Sequence, residues 1–138
     1  MDFEIELQNI RFDEYDEADM EALYDFIDRL EELPNKREAI PAIFSFIEKF
    51  NDKDLGSPGP LVHFIEEEDD YHDYLKSSLC RKPTGLTVWM VNRILNGLPD
   101  EEKHEWLISL ESASKSEYAD EVAKGEAKRY LEFQCGEI

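Results

Sequence analysis

The amino-acid sequence predicts an all-α protein of six to seven antiparallel helices, packed as a HEAT-like stack or a compact helical bundle. Three observations predict it. Apolar residues recur at helical spacing in segment after segment. The breaks between segments are short, which favours antiparallel neighbours. No two alternating segments offer each other a sheet partner. The length of 138 residues suits a single domain over residues 1–138, large enough to bury a real core.

Residues 1–15 read as an N-terminal arm. Phe3, Ile5 and Leu7 alternate as in a strand, but a lone strand is unstable, so an arm packed on the body or a short helical turn is expected. From Asp16 the period becomes helical. Met20, Leu23, Tyr24, Ile27 and Leu30 share one face, and Leu33-Pro34-Asn35 breaks the run. Asn35 with Glu38 reads as a cap and its N3 carboxylate. The second helix then extends to about Phe50, with Ile40, Ile43, Phe44, Ile47 and Phe50 inward. Pro41 should bend this helix or delay its start.

Asn51 to Pro60 is a loop in which Ser57 caps and Pro58 takes the first helical position. Leu61, Val62, Phe64 and Ile65 form a short apolar turn or two. Tyr71, Leu75 and Leu79 mark the next helix, which Arg81-Lys82-Pro83 ends. Thr84 to Asn96 is apolar almost all round, the pattern of a central buried helix, and Asn96-Gly97 stops it. His63, Asn92 and Arg93 are polar residues inside apolar runs and read as structural ties. Pro99 begins a helix with Trp106, Leu107 and Leu110 inward. Ser114-Lys115-Ser116-Glu117 reads as a capping box. It opens a last helix to about Phe133, with Tyr118, Ala119, Val122, Ala123, Ala127, Tyr130 and Leu131 as its stripe. There is no strict repeat period.

Charge is the most informative property of the sequence. The net charge is −19, and residues 1–70 carry −16 of it, with 22 acids against 6 bases. Such a field repels nucleic acid and anionic membranes and attracts basic proteins. No apolar run is long enough to span a membrane. The acidic, mixed N-terminus is not a signal peptide. Cys80 and Cys135 read as free thiols of a reducing cytoplasm.

Two acidic segments stand out. Glu21, Asp25, Asp28 and Glu32 lie at i, i+4, i+7 and i+11 of the first predicted helix, with Arg29 relieving Asp25. Glu66, Glu67, Glu68, Asp69 and Asp70 form an unbroken run, followed by Asp73. Each run alone is explained by solvation. Two runs in one strongly negative half are explained better by a partner-binding field, because complementary charge accelerates association.

Catalytic motifs are missing. There is no zinc-protease, EF-hand or zinc-ribbon spacing, no nucleophile elbow and no Gly-rich phosphate loop. The prediction is a non-enzyme without cofactor. The runner-up is a carboxylate-histidine metal enzyme built on Glu101, His104 and the His63–His72 segment. A third reading is a general helical protein-binding scaffold.

The stretches GSPGPLVHFIE (residues 56–66) and PTGLTVWMVNRILN (residues 83–96) resemble a family of small helical bacterial immunity proteins from polymorphic-toxin and contact-dependent inhibition loci. The resemblance covers roughly residues 40–110. It implies a cytoplasmic protein that binds and neutralises a cognate toxin domain, and the one-sided charge makes the expected toxin a basic one of nuclease type. It carries over no catalytic or contact residue. The ten acidic residues named above are contact candidates on charge alone.

Overall fold

The computed structural model describes residues 1–136. Among them lie eight α-helices and two 3₁₀ helices, and no strand. Extended pairing is confined to two isolated backbone bridges, Phe12 with Ala18 and Glu17 with Asp54. The protein is therefore all-α, with slightly more helices than the sequence predicts. No described helix is long and apolar enough to cross a membrane. The chain divides into two compact units, Met1–Tyr74 and a second that starts at Leu75.

The first unit contains α1 (Phe3–Gln8), α2 (Met20–Glu31), a 3₁₀ helix (Lys36–Ala39), α3 (Ile40–Lys49) and α4 (Pro60–Glu67). The N-terminal arm takes the helical option. Asp2 accepts a hydrogen bond from the Ile5 amide at 3.2 Å, and Leu7 is buried. Hydrogen bonds at the start of α2 fix its direction relative to α4. The Ala18 amide donates to the Asp54 carbonyl at 2.9 Å, and the Asp54 amide to the Asp16 carbonyl at 2.8 Å. Lys36 joins the far ends of the same two helices, so α2 and α4 run in the same direction. In the chain between them α3 returns, packs against α1, and ends where Phe50 meets Phe12 at a ring separation of 4.8 Å. Leu23, Phe26, Leu30, Ile43, Phe44, Ile47, Leu61, Phe64 and Ile65 are buried, and the apolar periodicity names all of these but Phe26 in advance; Tyr24, expected on the same face, is 54% exposed.

The second unit contains most of α5 (His72–Arg81), then α6 (Gly85–Asn96), a 3₁₀ helix (Asp100–Glu102), α7 (His104–Ser114) and α8 (Glu121–Cys135). Gln134 donates to Asn92 at 2.6 Å and to Asn96 at 2.8 Å, so the C-terminal ends of α6 and α8 coincide. This unit also runs up, down and up. Thr84 opens α6 with a buried capping box. Its hydroxyl accepts from the Thr87 amide at 3.1 Å, and the Thr84 amide donates to the Thr87 hydroxyl at 3.0 Å.

Local expectations fail where two signals compete. Asn35 makes no backbone cap, and its amide donates to Glu38 at 3.0 Å instead. Pro41 delays α3, which begins only at Ile40. Ser57 and Pro58 do not open α4. Gly59 is its cap and Pro60 its first residue. Gly59 has φ +89° and a Cβ there would sit 2.2 Å from the Leu55 carbonyl oxygen, so only glycine fits. The Ser114 box does not form either. Ser114 ends α7, and Asp120 caps α8 by accepting from the Ala123 amide at 2.8 Å. Tyr118 and Val122 consequently point outward, at 61% and 68% exposure.

Candidate acidic interface

The first unit, residues 1–74, holds 23 acids and 6 bases, net −17. The rest of the chain holds 11 acids and 9 bases, net −2. The structural division thus falls almost where the charge changes, and the field belongs to one unit.

Within that unit α2 presents Glu21, Asp25, Asp28 and Glu32 to solvent, while Leu23, Phe26 and Leu30 turn inward. The amphipathic period of the helix forces the acids onto one outer face. Glu21 sits in the first turn, where the helix dipole favours a carboxylate. Glu32, at the C-cap, faces the opposite preference. Arg29 bridges Asp25 at 3.0 Å and Glu6 of α1 at 2.9 Å. The hydrogen bond from Arg29 holds the Glu6 carboxyl below its ordinary range. Asp25 is therefore partly neutralised, whereas Asp28 stands exposed.

The second run lies where α4 gives way to α5. Glu66 is half-buried, Glu67 is exposed, and Glu68 is the C-cap of α4. Asp69 and Asp70 are exposed in the connecting turn, with Asp70 at φ 62°. Asp73 lies exposed in the first turn of α5. Lys36 brings the two runs together. Its ammonium lies 3.0 Å from Glu31 and 3.4 Å from Glu68. Glu31 and Lys36 are contributors the sequence reading missed. Hydrogen bonding to Glu31 holds Lys36 above the ordinary lysine range, desolvation opposes this, and Glu68 adds to it. The C-terminal ends of two parallel helices thereby form one acidic rim, with Lys36 between them.

No family model matches this chain, and no curated protein or solved structure matches it.

A third acidic segment leads into α2. Asp13 accepts from the Tyr15 amide at 2.8 Å and the Glu17 amide at 3.0 Å, which closes the turn and leaves Tyr15 80% exposed. Lys53 pairs with Asp16 at 2.9 Å. The sequence divides this segment between the arm, residues 1–15, and a helix expected from Asp16, whereas α2 starts only at Met20.

The residues of the metal reading do not form a donor set. Among the described residues no three His, Cys, Asp or Glu side chains group so as to hold an ion. Cys80 and Cys135 are unbonded and exposed. His63 is exposed, so it ties nothing to the central helix, contrary to expectation. Asn92 does make such a tie, through Gln134, while exposed Arg93 lies 5.5 Å above the Trp89 ring.

Proposed function

We propose that this protein is an immunity protein that binds and neutralises a basic, cognate toxin domain of nuclease type in the cytoplasm. The observation that carries this reading is the concentration of negative charge on one unit, where α2 and the end of α4 present a continuous acidic rim around Lys36. A rim of this kind attracts a cationic surface from beyond contact distance and shortens the search for it. The resemblance of residues 56–66 and 83–96 to immunity proteins supports the same reading. Glu21, Asp25, Asp28, Glu32, the 66–70 run and Asp73 are the proposed contacts.

The test is co-purification from the native host, followed by rescue of cells expressing the captured protein. A basic toxin whose lethality this chain suppresses supports the reading. Capture of a neutral or acidic partner, or a toxin that kills regardless, overturns it.

A further inference from the structure

The α8 helix has three sides. Ala123, Ala127 and Gln134 face α6, with both alanines buried. Lys128, Leu131, Glu132 and Cys135 line a groove against α7. The third side is Val122, Glu126, Arg129 and Phe133, at steps of four, three and four residues. Those steps are the d-a-d-a stripe of a coiled-coil seam, the repeat that lets one helix pack along another. Val122 is 68% exposed and Phe133 67% exposed. Among the described residues nothing covers most of either side chain.

Two further features belong to this side. Glu126 and Arg129 are hydrogen-bonded to one another and lie between the two apolar residues. Gly125, next to the stripe, has nothing within 4 Å of where a Cβ would sit. A glycine in mid-helix weakens the helix, and among the described residues no turn or close approach accounts for it.

We infer that α8 is a self-association surface on which two copies of this chain pair antiparallel. The stripe is complementary to itself. Val122–Phe133 and Glu126–Arg129 are both centred between Ala127 and Lys128. A two-fold axis there sets Val122 against Phe133 of the second copy, and Glu126 against Arg129 of the second copy. Both charged contacts across the axis then pair opposite charges, and both apolar residues are covered. Charge selects this occupant too. The second unit, to which α8 belongs, carries only −2, so the self-repulsion of that unit is small. The stripe is short, so the association is weak and concentration-dependent.

The experiment is sedimentation equilibrium of the full chain over a wide concentration series, with circular dichroism melts to verify folding. The wild-type mass should rise towards twice that of the monomer. Val122→Glu and Phe133→Glu should each remain monomeric. Arg129→Glu should lose self-association, and the exchanged pair Glu126→Arg with Arg129→Glu should recover it, because the swap preserves complementarity across the axis. A wild type that stays at single-chain mass overturns the inference. So does dimerisation that Val122→Glu and Phe133→Glu leave intact, or an exchanged pair that fails to recover.

Discussion

Lys36 lies 3.4 Å from Glu68 and 3.0 Å from Glu31, a cation set between the acidic ends of α2 and α4. Glu68 is its more sheltered partner, with a side chain only 12% exposed. A half-buried carboxylate is costly when unpaired, and at a helix C-terminus the macrodipole adds to that cost.

Lys36→Glu should therefore lower the thermal midpoint, and the drop should shrink in high salt, which screens the repulsion it introduces. Circular dichroism melts at two ionic strengths measure it. The same change should accelerate association with a cationic partner, because it deepens the negative rim. Stability and association rate then move in opposite directions, which a purely structural lysine does not explain.

Charge reversal along α2 separates the steering residues from the paired ones. Asp28→Lys should slow association with a basic partner by a few-fold at low salt and flatten the salt dependence. Asp25→Lys should do less to steering, since Arg29 already offsets Asp25 at 3.0 Å. It should also unsettle α1, because Arg29 holds Glu6 at 2.9 Å from the same guanidinium. Stopped-flow association across a salt series measures both. Equal effects from the two variants would remove Arg29 from the account.

The acid limb of stability should report the Glu6–Arg29 pair. Glu6 is held below its ordinary pKa, first by its hydrogen bond from Arg29. A carboxylate depressed in the folded state contributes stability above its unfolded pKa and loses it as pH falls through the folded value. Glu6→Gln should thus be less stable than wild type at neutral pH. The two should converge well below about pH 4, the unperturbed glutamate range. Urea midpoints across pH give the difference. The background should move the other way at first, since protonating other carboxylates relieves the self-repulsion of a −19 chain.

Much of the fold is visible in the sequence because burial imposes period. The spacing of Leu23 and Leu30 names two buried positions of α2, though it also names Tyr24, which is 54% exposed, and passes over buried Phe26; Met90, Val91 and Leu95 are inward, as so apolar a segment requires. Boundaries are less visible where equivalent signals adjoin. Ser57-Pro58 and Gly59-Pro60 both place proline after a capping residue, and the choice rests on Gly59's positive φ and its approach to Leu55. Ser114 and Asp120 are both good caps. The choice went to Asp120 because Trp106, Leu110 and Ala113 continue the α7 stripe through Ser114. The candidate interface is half visible. Its acids are plain as runs. Their meeting at Lys36 depends on α2 and α4 running parallel, which no local spacing encodes.

Thr84 is the sharpest test of how local chemistry holds the second unit. Its hydroxyl accepts from the Thr87 amide at 3.1 Å, and Thr87 returns the bond from within a site where both side chains are buried. Thr84→Ala removes the acceptor and leaves an amide without water to replace it. The expected loss is about 1–2 kcal/mol, the upper part of the N-cap range, because the site is dry. Thr84→Ser keeps the oxygen and drops only a methyl group, so it should lose less than half as much. Gly125→Ala should raise stability by about 1 kcal/mol in the monomer, since open space surrounds the new methyl group and alanine is the stronger helix former. Guanidinium unfolding at a concentration where the chain is monomeric measures all three. A Thr84→Ala loss no larger than that of Thr84→Ser would mean that packing alone, and not the reciprocal hydrogen bonds, sets the start of α6.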